Sequence, residues 1–381
     1  MKEKSTRQIL GSIVMLWLFT AACPDPNQVN SISKLELLDT YTVSNSLRYE
    51  ETQLGGLSGI DYDVASDSYF LISDDRSALQ PARYYKTRIS ISKNTIDTVT
   101  FLEKTDLRTA DGKLYPSIKE DPQRTIDPEG IRYNPKNQEL VWLSEGERIV
   151  RTPDTLLVNP SIFITDKGKY TGQYAVDEGV RMQSIEAGPR QNGTFEGLTF
   201  SDNFTSLLVS LEEPLYQDGP RADVEESKSL IRIYRYDVAT RKNTAQYAYD
   251  LDPVAHAPIL TTAFRVNGVT DILEAGNNQL LVVERSFSTG RLPCTVKVFL
   301  ADLNSGTNAI STPTLAGETT VKPVSKKLIL NMDSLGMYID NIEGVTWGPT
   351  LPNGHQTLLF VSDNNFQSFQ KTQFLLFEVI P

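Results

Sequence analysis

Carboxylates recur in this chain at repeated addresses. Glu129, Glu196 and Glu343 each stand directly before a glycine, and short apolar runs end on Asp74-Asp75, Glu145, Glu212-Glu213, Glu284 and Asp363. Gathered in one place, so many like charges repel, and some must be neutralised by protons, basic partners or a metal. An all-oxygen donor set is what hard cations such as Ca²⁺ take. Two histidines in the whole chain, His256 and His355, argue against a His-based zinc or iron site. The candidate metal ligands are Asp74, Glu129, Glu196, Glu284 and Glu343, with Glu129, Glu196 and Glu343 also placed to activate water. A structural reading competes: an acid beside each turn can cap neighbouring backbone N–H groups.

Arginines accompany the acids. Arg76 follows Asp75, Arg285 follows Glu284, Arg148 lies three residues past Glu145, and Arg83 opens the next apolar run. An Arg beside carboxylates is commonly their ion-pair partner. The sharper expectation is that Arg76, Arg285 and Arg83 grip a small anionic substrate such as a phosphate ester, since a guanidinium matches phosphate in a bidentate way. Other chemistries lack their residues. There is no Gly-x-Ser-x-Gly elbow (Gly56-Leu57-Ser58-Gly59 is one residue short), no phosphate-cradling loop, no His-Glu-x-x-His and no Cys-x-x-Cys. Both histidines fall in Pro- or Gly-flanked loops, which leaves a metal-activated water as the better route to hydrolysis.

The elements that must position these residues repeat. Gly59, Gly130, Gly197, Gly268 and Gly344 recur every 67 to 76 residues, each opening a short strand, a turn and a second strand that ends on an acid. A third strand follows each pair (83–90, 161–165, 230–236, 295–300 and 374–379), and a fourth follows in four repeats (95–102, 170–176, 244–251 and 326–331). The fifth repeat stops after its third strand, and the unassigned run Lys34–Val43 can supply the missing one. The pattern predicts an all-β fold, a β-propeller of five four-stranded blades, closed by pairing the N-terminal strand with the C-terminal blade. A sixth blade would fit only if a degenerate one hides in the stretches 105–126, 216–229, 252–267 or 304–324. Because the first two strands of a blade are antiparallel, the acid before each glycine and the acid ending strand two fall at the same end. Five copies predict a ring of carboxylates at one mouth of the channel.

The N-terminus reads as an address. Lys2, Lys4 and Arg7 precede an apolar run over 9–20 that is too short to span a bilayer, so 1–22 is expected to be a signal peptide. Ala21-Ala22-Cys23 resembles a bacterial lipobox, with Thr20 where leucine is usual, and predicts lipidation at Cys23. Residues 23–33 would then be a lipid-anchored tether and 34–381 the propeller. Removing 1–22 takes the net charge from −11 to −13. Such an acidic domain is no partner for nucleic acid, and it would meet a membrane only through its lipid. Cys294 is expected to be a small buried residue, and the chain a monomer.

Along residues 50–380 the chain resembles the phytase-like family, described by the esterase-like activity of phytase. The motifs that carry this are Gly55-Gly56-Leu57-Ser58-Gly59-Ile60-Asp61-Tyr62, Ser73-Asp74-Asp75-Arg76 with Arg83-Tyr84-Tyr85, Asp127-Pro128-Glu129-Gly130-Ile131, Phe195-Glu196-Gly197 and Asn341-Ile342-Glu343-Gly344. The resemblance implies an exported bacterial propeller, periplasmic or on the outer surface, and an activity on phosphate esters like that of calcium-dependent propeller phytases. It transfers no catalytic residue by position. Three functions remain open at this point: a Ca²⁺-dependent phosphoric-ester hydrolase, a propeller that binds a protein or glycan and catalyses nothing, and a metal-dependent lactonase.

Overall fold

The computed structural model describes residues 31–381. The expected signal peptide, Cys23 and most of the expected tether lie outside the described residues. Five four-stranded antiparallel sheets make up the fold, and helix is limited to four short 3₁₀ turns among the described residues. Blade 1 is built from Leu57–Asp63, Ser68–Ser73, Arg83–Ser92 and Thr95–Asp106. Blade 2 uses Pro128–Asn134, Glu139–Ser144, Ser161–Asp166 and Lys169–Gln173, and blade 3 uses Phe195–Ser201, Ser206–Leu211, Leu230–Asp237 and Lys242–Asp250. Blade 4 holds Arg265–Glu274, Gln279–Ser288, Thr295–Asp302 and Ser325–Asn331. Blade 5 holds Asn341–Trp347, Thr357–Asp363 and Thr372–Ile380, and its outermost strand is the N-terminal Lys34–Val43, paired antiparallel with Thr372–Ile380. The long stretches form loops, and the two small two-stranded ribbons, Arg48–Tyr49 with Thr52–Gln53 and Glu147–Ile149 with Leu156–Val158, lie outside them, so no sixth blade is present among the described residues. No helix among them is long and apolar enough to cross a membrane.

The core lies between successive blades, where the faces of neighbouring sheets meet. Leu57, Ile60, Tyr69 and Leu71 of blade 1 pack with Leu359, Val361 and Phe374 of blade 5, and Phe70, Ile72 and Tyr84 face Ile131 and Trp142 of blade 2. Cys294 is buried and unpaired in blade 4.

Inner strands converge on the axis, and glycine is needed where they touch. A Cβ on Gly59 would sit 2.8 Å from the Glu129 carbonyl oxygen, and one on Gly130 would sit 2.7 Å from that of Glu196. At Gly197 it would meet the Ile272 nitrogen at 2.7 Å, and at Gly344 the Ile60 nitrogen at 3.1 Å. Real Cβ atoms do not approach so closely, so the repeat of glycines records the close approach of blade to blade. Blade 4 departs from this pattern. Its register places Asp271, and not Gly268, opposite the position of the other four glycines, and the Asp271 carboxylate accepts the Val345 N–H of blade 5 at 2.9 Å. Gly268 lies three residues earlier, where the Glu212 side chain passes over it.

Candidate functional site

Each inner strand carries a bulge at the mouth end, just before the pivot position. A bulge inserts one unpaired residue and re-aims its side chain. The extra residue is Ser58 in blade 1, Glu196 in blade 3, Thr270 in blade 4 and Glu343 in blade 5, and Glu129 holds the matching place in blade 2. On the facing strands the matching position, one residue past the partner of the residue before the bulge, holds Asp74, Glu145, Glu212, Arg285 and Asp363. These ten positions form the rim of the channel. Seven are carboxylates and one is a cation.

The acids do converge. Carboxylate oxygens of Asp127, Glu129 and Glu145 lie within 4.8 Å of one another, and so do those of Glu145, Glu196 and Glu212. Glu145 belongs to both groups. Glu343 faces them from blade 5 and adds to the repulsion felt by Glu129 and Glu196. Burial raises every one of these groups; neighbouring carboxylates add to it at Glu129, Glu145 and Glu196, while Arg285 opposes it at Glu212 and Glu343. Glu129, Glu145, Glu196, Asp74 and Asp363 are held well above the ordinary carboxylate range. Asp127 is pushed up to about 7 by burial, with Arg76 opposing, and Glu213 behind the rim to about 8 by burial and Glu212.

The protein's own cations cover only part of this charge. Arg285 takes the rim position of blade 4. It donates to Glu343 at 2.6 Å and Glu212 at 3.0 Å, and also to Asn341. Arg76 lies 3.4 Å from Asp127 and 2.8 Å from Glu147, with its side chain 26% exposed. Arg221 pairs with Glu213 at 2.6 Å. Among the described residues, no donor reaches the side chains of Glu129 and Glu196. The buried Asp74 Oδ1 and Asp363 Oδ2 also lack a hydrogen-bond partner. Oxygen-only donors, orphaned buried oxygens and excess negative charge are what a hard cation would satisfy. The residues present therefore fit Ca²⁺.

Two of the expected site residues stand elsewhere. Glu284 pairs in register with Val269, one step short of the rim, because the bulge of blade 4 comes later than the glycine pattern indicated. Its oxygens are taken by Tyr249, Lys326, Asn267 and the Asp252 N–H, at 2.7 to 3.0 Å, which leaves none for a metal. Arg83 is fully buried in blade 1, donating to Asp75, Tyr85, Gln80 and two carbonyls, so it cannot reach a substrate. Arg148 is likewise spent on the Gln183 and Ile185 carbonyls. His355 sits in the hairpin at the far end of blade 5, 2.6 Å from Glu378, while His256 is exposed.

Below the rim lies a layer that the repeat did not announce. Arg132 is 2% exposed and projects from blade 2 into the channel. It donates to the Ile60, Ile272 and Val345 carbonyls of three other blades and to Asp271 at 2.8 Å. Asp61, 4.0 Å from its Nε, accepts the Tyr133 N–H. Burial raises Asp61 to about 6 against the pull of Arg132. The signal was present: a lone Arg in Gly-Ile-Arg-Tyr and a lone Asp in Val-Thr-Asp-Ile are charges inside apolar strands, which must find partners when buried.

With this geometry in place, comparison with known proteins gives the following. Residues 52–366 match the profile of the family described as phytase-like, esterase-like activity of phytase. Among curated proteins, none matches the chain. Similar solved structures include an exo-β-1,3-galactanase from Phanerochaete chrysosporium (13% identity, TM-score 0.46), covering 91% of this chain and 64% of that one. A GH43 β-1,3-galactosidase (10% identity, TM-score 0.47) covers 89% and 95%. The periplasmic gluconolactonase of Pseudomonas aeruginosa (11% identity, TM-score 0.38) covers 87% and 90%. The chain thus spans about two thirds of the galactanase. At these identities the likeness concerns the course of the chain alone.

Proposed function

The chain belongs to the phytase-like family, and on that footing we propose that it is an exported, calcium-dependent phosphoric-ester hydrolase working at the acidic mouth of the channel. The observation that carries this reading is the pair of carboxylate triads sharing Glu145, with more negative charge than Arg76, Arg285 and Arg221 can balance. Asp127, Glu129, Glu145, Glu196 and Glu212 would hold the cation. Bound there, Ca²⁺ would take up charge from phosphoryl oxygens and lower the pKa of a water.

The side chains have separable tasks. Arg76, partly exposed beside the rim, meets the phosphate. Arg285, locked between Glu212 and Glu343, holds those two acids in place and opposes the burial that raises them. Glu129 or Glu196, which no protein donor reaches, would accept a proton of the attacking water as its oxygen joins phosphorus and pass that proton to the leaving alcohol as the ester P–O bond breaks. Export, with a lipid on Cys23 as tether, follows from the N-terminal sequence and belongs to the same proposal, as does action as a monomer.

Purified protein tests the reading directly. Turnover of a generic phosphomonoester, lost with chelator and restored by Ca²⁺, is the expected result. Lactone turnover without phosphatase activity would replace it with the lactonase reading. No bound metal and no turnover of either substrate would leave a binding propeller.

A further inference from the structure

Beside the acidic rim, between blades 1 and 5, lies a cavity of about 440 Å³ lined by Gln53, Asp74, Arg76, Leu79, Asn365 and Phe366 among others. That size falls in the range of small-molecule sites. It shares Asp74 with the rim, and Arg76 in its wall joins it to the first carboxylate triad through Asp127.

The wall of this cavity is built at a structural cost. Phe366 holds a left-handed backbone, φ 53°, and Asn365 before it φ 46°. Glycine and asparagine visit this region readily, but a bulky aromatic does so only when its surroundings impose it. The Asn364 Oδ1 imposes it here by accepting both the Phe366 N–H and the Gly56 N–H, each at 3.1 Å. The Phe366 ring then lies across Gly55 and Gly56. A Cβ on Gly56 would meet the ring at 2.5 Å and Asp74 Oδ1 at 2.0 Å, and one on Gly55 would meet the ring at 3.0 Å. The Gly55-Gly56 doublet is thus required jointly: by Asn364 Oδ1, 2.5 Å from a Cβ on Gly55, by the Asp74 carboxylate and the left-handed backbone at Gly56 (φ 60°), and by the ring laid beside them. Leu79, 55% exposed, adds a second apolar surface, and no donor or acceptor engages the Gln53 and Asn365 side chains among the described residues.

We infer that this cavity is a binding subsite for the leaving group of the ester, and that it takes a flat aromatic ring with a polar edge, stacked on Phe366. The inference rests on the phosphoester reading of the rim and deepens it. Arg76 holds the phosphate end, Phe366 and Leu79 cover the ring, and the amides of Gln53 and Asn365 meet its edge. Offset aromatic stacking adds to what burial of area alone supplies, so an aryl group gains over a saturated ring of similar size.

The test separates the subsite from the chemistry. Binding of phenylphosphonate, cyclohexylphosphonate and methylphosphonate, none of which turns over, is measured by calorimetry on the full mature chain with Ca²⁺ present. The wild type is expected to prefer phenyl over cyclohexyl by about 3- to 10-fold. Phe366→Asn, which suits the left-handed backbone, should bring that ratio near one, and Phe366→Tyr should restore it. Equal affinity for all three phosphonates in the wild type overturns the subsite, whether or not esters are hydrolysed. A phenyl preference that survives Phe366→Asn overturns the role of Phe366. If the phenyl preference holds and depends on Phe366 while no ester turns over, the subsite stands and the hydrolase reading falls.

Discussion

Two layers of charge lie one above the other in this channel, and they are built on opposite principles. In the lower layer Arg132 faces Asp271 and Asp61, and every remaining donor of its guanidinium tips finds a backbone carbonyl. One cation there faces two carboxylates, Asp61 raised to about 6 by burial, and the three groups with their carbonyl partners join blades 1, 2, 4 and 5. In the upper layer seven carboxylates share a rim with Arg285, and oxygens of Asp74 and Asp363 are buried without partners. A buried network whose carboxylates find their partners within the protein serves structure. An unbalanced one is tolerable only with protons or a cation from outside.

The comparison is broken most severely from below. Arg132→Met leaves Asp61 and Asp271 buried without their counter-charge and should cost about 3–5 kcal/mol, read from denaturant unfolding of the metal-free protein. Calcium stoichiometry should not change, and a loss of calcium without a loss of stability would reverse the roles of the two layers. Glu284→Gln comes next. Its carboxylate is saturated by Tyr249, Lys326, Asn267 and Asp252, so the change should cost about 1–3 kcal/mol of stability and leave calcium affinity untouched. Glu145→Gln should do the reverse. Removing the acid common to both triads relieves repulsion in the metal-free protein, so its melting temperature should not fall, while calcium affinity drops at least about tenfold by titration calorimetry.

The smallest effect sharpens the contrast by pH. Rim acids whose pKa values are raised by folding stabilise the metal-free protein fully below about pH 4, where even the unfolded chain is protonated. That contribution is lost as pH rises through the folded values, about 7 for Asp127 and about 8 for Glu213. The metal-free melting temperature should therefore fall by on the order of a few degrees between pH 5 and pH 8. Added Ca²⁺ should recover more of it at pH 8 than at pH 5, because cation and protons compete for the same oxygens. A melting temperature that rises over this window without metal would contradict the assigned shifts.

The fold was legible because its determinants are local and repeated. Strand pairs, turn residues and the touching glycines recur in sequence, and Lys34–Val43 stood out as a strand without a hairpin partner. The rim was legible in three blades, where Glu129, Glu196 and Glu343 precede the glycine. It was misread in blade 4, where Asp271 replaces the glycine and Gly268 imitates it three residues early. That slip moved the rim position from Arg285 to Glu284, since one residue of register decides which side chain faces the channel. Arg83 was misread for another reason: a charged residue at a strand start looks exposed until the Asp75 turn folds over it. Arg132 and Asp271 were missed because their partnership spans four blades, and nothing within one repeat announces it.

The claim that the rim holds a cation is tested most directly by crystals of the mature chain grown with Ca²⁺ and examined by anomalous diffraction. The account predicts a peak within about 2.3–2.6 Å of a Glu145 oxygen, shared with Asp127 and Glu129 or with Glu196 and Glu212. No peak at the rim under saturating calcium, or one bound at Glu284 instead, would contradict it.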